Sequence, residues 1–491
     1  MRPAHTMEKT ADETIPKGER GLLTLAAVIE AIAGARPEAY QEAIMDAAID
    51  SRLVTPGSLF VAIGGEHADG HDHLPEAFER GALAALIDRE VDPDFRVVDL
   101  RRGSDLKVVE TPLCLRVENT VEALQAAARS WREQLELRVI GITGSVGKST
   151  SKELASEVLQ QRYRTYKNEG NLNNEIGLPL SLLKVRPAHE RAVLEMGFYV
   201  PGEIALLSDI AKPQVGVITN ISEVHLERAG SMEAIVKGKG ELVESLPPDP
   251  DGVAILNIDD PQVREMAERT EARVFYYGLS PEADLWAGDI EGLGLEGVRF
   301  VFHHEVETFR VRVPLLGRHS VHTALRAAAV GLTEGLSWEQ ILSGLTQTQS
   351  QLRLVAVNGP GGSLILDDTY NAAPTSVLAA LNLLEELDGR RIAVLGDMLE
   401  LGEFEERGHR LVGARAAEVA QRLVTVGQRA RWIGEEAVRA GLAEAELTTL
   451  SDTDEAVEHL RDEIGMGDVV LIKGSRGIRM DKIVSELEVS D

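Results

Sequence analysis

Short apolar runs alternate along this chain with stretches whose apolar positions recur every three to four residues. The runs, bounded by turn residues, read as buried strands, and the periodic stretches read as helices. Ser58-Leu59-Phe60-Val61-Ala62 and Ala82-Leu83-Ala84-Ala85-Leu86-Ile87 are strand candidates, with Gly64-Gly65 and Asp69-Gly70 as turns between them. Over residues 120–137, Val121, Leu124, Ala128 and Trp131 fall on one helical face. Leu137-Arg138-Val139-Ile140 then reads as a strand and residues 148–161 as a helix, followed by strands at 191–194 and 215–218. This alternation predicts a parallel sheet wrapped by helices. The run Leu246-Pro247-Pro248-Asp249-Pro250-Asp251-Gly252 is a loop, and period-two alternation over 298–313 predicts a β-hairpin appended to the same domain. Past Leu352, strands are expected at 364–366, 392–395, 423–426 and 469–472, the last three running into Gly396, Gly427 and Gly474. That is the pattern of a second doubly wound α/β domain, with ligand residues at the carboxyl ends of its strands.

Length and charge narrow the picture. A chain of 491 residues exceeds one ordinary core and suggests two to four domains, and the pattern of elements divides it into three α/β regions, at 21–118, 119–350 and 351–491. A formal net charge of -29 argues against non-specific binding to nucleic acid or anionic membranes, and an anionic ligand would need local counter-charge. No apolar stretch reaches the ~20 residues of a membrane span, and the polar first twenty residues lack a signal-peptide core and are expected to be disordered. Cys114, alone in the chain, lies in the apolar run Leu113-Cys114-Leu115 and reads as a buried hydrophobe; its solitude fits a reducing, cytoplasmic compartment.

The sharpest chemical signal is Gly141-Ile142-Thr143-Gly144-Ser145-Val146-Gly147-Lys148-Ser149-Thr150, between a strand and a helix. Successive loop N–H groups and the positive end of a helix can ring a phosphate, Lys148 can reach the β- and γ-phosphates, and Ser149 can bind Mg²⁺. The general pattern G-x-x-x-x-G-K-[ST] puts glycine at position 142, which is Ile142 here, so the loop is a variant. Phosphoryl transfer also needs divalent cations. Glu195 ends the strand beside the loop, and His225 follows the strand ending at Ile218; a solvated carboxylate and a hydrogen-bonded structural histidine are the competing readings. The amide-rich loop Gly170-Asn171-Leu172-Asn173-Asn174-Glu175-Ile176-Gly177 could hold phosphate or water, or satisfy its own backbone.

Together these segments resemble the Mur ligases of peptidoglycan synthesis over nearly the whole chain after the first twenty residues. The resemblance rests on Thr143 to Ser149, on Asn171 to Gly177, on Glu195-Met196-Gly197 and on His225-Leu226-Glu227. It extends to Asp367-Asp368-Thr369-Tyr370-Asn371-Ala372, Leu395-Gly396-Asp397-Met398-Leu399-Glu400-Leu401-Gly402 and Lys473-Gly474-Ser475-Arg476, and to Asp50-Ser51-Arg52 with Gly57-Ser58-Leu59-Phe60-Val61-Ala62. It implies a small uridine-nucleotide substrate domain, a central phosphate-loop ATPase domain and a Rossmann-like domain that closes over an amine substrate. The implied reaction uses ATP and Mg²⁺ to phosphorylate the terminal carboxylate of UDP-N-acetylmuramoyl-tripeptide, after which the amine of D-alanyl-D-alanine attacks the acyl phosphate. The enzyme is expected to act as a monomer.

By the same resemblance, Thr143, Gly144, Ser145, Val146, Gly147, Lys148 and Ser149 serve the nucleotide phosphates, with Arg353 and Asp368 reaching ATP. Ser149, Glu195 and His225 look like magnesium ligands, joined by Lys239, which matches a lysine the family carbamylates; Lys148, Lys239 and His225 are the catalytic set. Ser51 and Arg52, Asn173 and Asn174, and Tyr370, Asn371 and Ser475 look like substrate-binding residues. Where the family has H-N-x-x-N, this chain has His319-Ser320-Val321-His322-Thr323, and Leu352 replaces the usual glycine before Arg353, so base contacts there depart from the pattern. A sibling ligase adding the third peptide residue would carry G-G-D-R-D and D-N-P motifs, which are missing, and folylpolyglutamate synthase lacks such a first domain. A scaffold that has lost catalysis has no need to keep Lys148, Glu195, His225 and Lys239 together.

Overall fold

The computed structural model describes residues 21–65, 68–102, 109–346 and 354–489. The expected disorder of the first twenty residues and the expected ATP contact of Arg353 lie outside the described residues. The chain forms two compact units.

The first unit holds the described residues up to Glu136 together with 182–188. Its sheet has five parallel strands, β1 (Ala47–Ala48), β2 (Leu59–Val61), β3 (Ala84–Ile87), β4 (Val97–Asp99) and β5 (Leu113–Arg116), in the order β1-β2-β3-β5-β4. Leu59, Phe60 and Val61 and the whole of β3 are fully buried, as strands covered on both faces must be. Cys114 is one of these core residues, and burial pushes its thiol up to about 12. Helix Thr120–Gln134 starts where the Asn119 side chain accepts the N–H groups of Val121 and Glu122. It packs on helix Leu25–Ala33 and over β2 and β3, and Trp131 Nε1 donates to Val185 O at 3.0 Å, so this unit runs beyond residue 118.

The second unit contains two sheets. The larger has β6 (Arg138–Thr143), β7 (Thr165–Lys167), β8 (Arg191–Glu195), β9 (Val215–Ile218), β10 (Val253–Asn257), β11 (Arg273–Gly278), β12 (Leu285–Gly292), β13 (Val298–His304) and β14 (Glu307–Val313). Their order is β14-β13-β12-β11-β10-β9-β6-β8-β7, parallel from β7 to β12. The hairpin over 298–313 is present, but it is no appendage. It pairs antiparallel with β12, and Phe300, Phe302, Val311 and Val313 enter the same core as Ile140 and Val217. The smaller sheet has β15 (Val355–Asn358), β16 (Leu364–Asp368), β17 (Arg390–Gly396), β18 (Arg422–Val426), β19 (Leu447–Leu450) and β20 (Asp468–Lys473), ordered β15-β16-β20-β17-β18-β19 with only β15 antiparallel.

Register decides what meets at the strand ends. Strand β6 lies between β8 and β9, with Ile142 opposite Glu195 and Thr143 opposite Ile218, and β16 and β20 end with Asp368 opposite Lys473. At the other end of the large sheet, Glu334 is buried and clasps the starts of β6 and β8. Its carboxylate accepts from Arg138 Nε at 2.6 Å and Arg191 Nε at 2.5 Å. Removing one partner of a buried ionic cluster strands the others. Glu334→Ala is therefore expected to lower the unfolding free energy by about 3 kcal/mol in urea denaturation, and a loss below about 1 kcal/mol would mean that the clasp carries no more than a surface pair.

Candidate functional site

The loop after β6 is shaped by two glycines with positive φ, Gly144 at 141° and Gly147 at 84°. A Cβ on Gly144 would stand 1.9 Å from Thr219 Oγ1, so no side chain fits there. Ile142 lies fully buried inside β6, which explains the departure from the usual loop pattern: the strand runs further before turning. The loop is stapled to neighbouring strand ends. Thr143 Oγ1 donates to Met196 O at 2.9 Å, Ser145 N to Asn220 O at 2.9 Å and Val146 N to Asn220 Oδ1 at 3.0 Å. The Ser145 hydroxyl donates to Ser222 O at 3.1 Å and accepts from Ser222 N at 2.8 Å. Two amides expected to ring a phosphate are thus engaged by Asn220. The remaining donors of that kind lie where helix Lys148–Gln160 begins.

Lys148 Nζ donates back to Gly144 O at 2.8 Å and Ser145 O at 3.2 Å. Lys239, on helix Met232–Glu244, is fully buried, and its Nζ donates to the same Gly144 O at 3.1 Å. It lies 4.6 Å from the centre of the Phe198 ring, and Gly238 makes room, since a Cβ there would meet that ring at 2.0 Å. Burial, and then the charge of Lys148, hold the Lys239 amine well below the ordinary lysine range.

Glu195 closes the other side of the loop. It is 2% exposed; Oε2 accepts from Ser149 Oγ at 2.5 Å and Oε1 from Asn173 Nδ2 at 2.9 Å. Asn168 acts as a surrogate peptide for its backbone, accepting from Glu195 N at 2.9 Å and donating to Glu195 O at 3.2 Å. His225 sits in the left-handed region at φ 66°, as does Glu400 at 64°, and His225 Nδ1 donates to Glu400 Oε2 at 2.6 Å. Burial, and then Lys148, lower the imidazole to about 4, leaving it neutral with its lone pair on Nε2. Among the described residues, no group of three or more His, Cys, Asp and Glu side chains is gathered as a metal centre.

A cavity of about 410 Å³ opens beside Gly147 and Thr150, walled by helix Ser320–Thr333 and by the ends of β16 and β20. Asp368 and Lys473 form an ion pair there at 2.7 Å, and Lys473 Nζ also donates to Asn371 O at 2.8 Å. His319, Ser320, His322 and Thr323 line this cavity, so the segment that departs from the family pattern is nonetheless part of its wall. Sequence reasoning also missed Asn220, which carries the loop, and Arg326, one helical turn past Thr323 on the cavity wall.

The expected substrate residues are spread over both units. In the first, Ser51 Oγ donates to Glu76 Oε2 at 2.7 Å, and the exposed Arg52 pairs with Asp50, whose carboxyl is lowered to about 2 chiefly by that hydrogen bond. In the second, Asn173 serves Glu195, and Asn174 Oδ1 accepts the N–H of Gly177 at the start of helix Gly177–Leu183. Tyr370 is 40% exposed, while Asn371 lines the cavity. Ser475 is buried with its hydroxyl engaged by Leu399 N at 2.9 Å and Ala372 O at 3.3 Å, so it fastens two loops together.

Comparison with known proteins gives one consistent answer. The sequence matches the Mur ligase middle domain over residues 142–331, the Mur ligase glutamate ligase domain over 352–476 and the Mur ligase family catalytic domain over 46–132. It is 36% identical over 459 residues to the UDP-N-acetylmuramoyl-tripeptide–D-alanyl-D-alanine ligase of Bacillus subtilis (strain 168), covering 92% of this chain and 95% of that one. The fold is similar to MurF from Acinetobacter baumannii, with a TM-score of 0.80, 30% identity and coverage of 94% and 98%. It is also similar to the MurF ligase from Thermotoga maritima in complex with ADP, with a TM-score of 0.74, 27% identity and coverage of 90% and 97%.

The depressed His225 gives a test that needs no substrate. Between pH 6.5 and about 4 the unfolded chain binds a proton at this position and the folded chain does not, so falling pH favours unfolding. His225→Asn removes that uptake. Urea midpoints measured across this window should fall less steeply with acid in the variant than in the parent, and equal slopes would mean that the folded imidazole is not held neutral.

Proposed function

The chain belongs to the Mur ligase family, and we propose that it joins D-alanyl-D-alanine to UDP-N-acetylmuramoyl-tripeptide using ATP, in the synthesis of peptidoglycan precursors. The observation that carries this reading is the convergence of Lys148, Lys239 and the Ser149–Glu195 pair around one phosphate-loop turn. A peptide carboxylate is a poor electrophile because its leaving group would be an oxide. Its oxygen attacks the γ-phosphorus of ATP, the bond to ADP breaks, and an acyl phosphate forms. The D-alanyl-D-alanine amine then attacks the carbonyl carbon; the amide bond forms, inorganic phosphate leaves and the amine gives up a proton. The protein's task is to position three anionic partners and offset their charge.

Lys148 and the start of its helix face the phosphates in this reading, with Asp368 and Arg353 toward the rest of ATP. Ser149, Glu195 and a neutral His225 fit magnesium, the first two offering the hard oxygens that ion prefers. When bound, Mg²⁺ offsets charge on the transferred phosphoryl group. Lys239 suits carbamylation because carbon dioxide adds only to a neutral amine. The new N–C bond releases a proton and turns a buried cation site into an oxygen anion. Support comes from its complete burial and its lowered affinity for a proton. Residues 21–118, with Ser51 and Arg52, take the uridine nucleotide; 119–350, with Asn173 and Asn174 bracing the carboxylate side, take ATP; and 351–491, with Tyr370, Asn371 and Ser475, take the amine substrate. In this reading the enzyme works as a monomer in the cytoplasm, the reducing compartment that a lone, buried Cys114 fits; among the described residues no helix is long and apolar enough to cross a membrane.

Phosphate release should require UDP-N-acetylmuramoyl-tripeptide and D-alanyl-D-alanine together, and oxygen-18 placed in the peptide carboxyl should appear in the released phosphate. Unlabelled phosphate would remove the acyl-phosphate reading. Lys148→Ala should abolish turnover. Lys239→Ala should lose nearly all activity and regain part of it with acetate, and normal turnover in that variant would sink the carbamate assignment.

A further inference from the structure

Arg326 is a buried cation that the roles above do not use. It projects from helix Ser320–Thr333, is 4% exposed and lines the cavity. Its Nε donates to Ser151 Oγ at 2.7 Å, Nη2 to Thr323 Oγ1 at 2.9 Å and Nη1 to Tyr277 Oη at 3.5 Å. Two of these hydroxyls have turned their own hydrogens elsewhere. Ser151 Oγ donates to Gly147 O at 2.6 Å, and Tyr277 Oη to Ile218 O at 3.0 Å and Thr219 O at 3.1 Å. Every acceptor is neutral, and no carboxylate pairs with Arg326 among the described residues. A buried cation without an anion is costly. Its Nη2 stands 3.1 Å from where a Cβ on Gly147 would be, so it abuts the turn that opens the phosphate-binding helix. Ser222, which also lines the cavity, has a buried Oγ with no partner among the described residues.

We propose that the missing anion is the nucleotide itself: Arg326 is a phosphate ligand that reaches the loop from the opposite helix. This rests on the nucleotide reading of the site and adds a residue to it. A planar guanidinium with several fixed donors matches phosphate oxygens better than an ammonium does. Glycine at 147 then serves two purposes, the positive φ of the turn and the space that lets a phosphate and the guanidinium share one face. The competing role is a neutral cross-tie between the two packed helices.

The test uses the full chain and measures ADP, adenosine and inorganic pyrophosphate by calorimetry and by ligand-induced shift of the melting temperature. Arg326→Met keeps the length and removes the charge. It should weaken ADP and pyrophosphate by about tenfold or more, leave adenosine within about twofold, and not lower the melting temperature of the ligand-free protein. Arg326→Lys should fall between parent and Met for both anions, and it serves alone if the Met variant does not fold. ADP and pyrophosphate binding unchanged in both variants, or adenosine weakened as much as ADP, would overturn the assignment. So would a ligand-free melting temperature that drops in both variants with anion affinity intact. If the parent binds none of the three probes, it is the nucleotide reading beneath this one that fails.

Discussion

The carbonyl oxygen of Gly144 accepts from two lysines, Lys148 at 2.8 Å and Lys239 at 3.1 Å, and two ammonium groups cannot both stay charged so close together inside a protein at no cost. Lys239 answers by losing its hold on a proton, because it is also the more deeply buried of the pair. That one convergence dictates much around it. Gly144 must adopt φ 141° to present its carbonyl, which only glycine does readily and which brings it against Thr219. Helix Met232–Glu244 must approach closely enough for Lys239 to reach the turn, and Gly238 allows this by giving its Cβ space to Phe198. Moving any of these pieces would separate the two lysines at the Gly144 carbonyl.

The carboxylate side is held by a different chain of contacts with the same logic. Lys152, 1% exposed, donates to Asn168 O at 2.6 Å; Asn168 brackets the backbone of Glu195 through both ends of its amide; Glu195 receives the Ser149 hydroxyl. The links from Lys152 through Asn168 to Glu195 are buried and the one to Ser149 is partly so; a buried hydrogen bond is worth more than one at a surface and leaves an orphaned group if broken. The loop containing Asn173 is tied in at its other end, through Asn173 to Glu195 and through Asn174 to the helix that follows. Of the readings open to this amide-rich loop, holding phosphate or water or satisfying its own backbone, Asn174 does the last, while Asn173 braces the Glu195 carboxylate.

What was legible beforehand follows from which interactions are local. Period and punctuation marked β2, β3, β6, β9, β17, β18 and β20 because those strands are short, apolar and end in turns. They did not mark β7, which is half-buried over Thr165–Lys167, or β19, whose Leu447–Leu450 is likewise partly exposed at a sheet edge. Pairing partners are non-local, so the hairpin over 298–313 was recognisable while its union with β12 was not. In the site, Lys148 and Ser149 are readable from spacing, since the loop's chemistry is contiguous in sequence. Asn220, Asn168 and Arg326 act across sheets and helices, and nothing about an isolated Asn or Arg announces such a partner.

The His319 segment shows why a departure in sequence need not be a loss of site. With serine and threonine at 320 and 323, that wall of the cavity has short hydroxyls in place of longer amides. The volume released beside Thr323 is where the Arg326 guanidinium donates, at 2.9 Å to the threonine hydroxyl. A longer asparagine there would compete for the same space, whereas the short threonine side chain leaves room and its hydroxyl oxygen accepts from the guanidinium. In a chain with net charge -29, a positive group facing the cavity gains its effect from low dielectric and, among the described residues, from having no carboxylate paired with it. The neighbouring Lys473 is treated oppositely, neutralised by Asp368 at 2.7 Å. Among the described residues, one wall of the cavity therefore carries a compensated charge and the other a cation with no carboxylate paired to it, so the two walls differ in what they offer an anionic ligand.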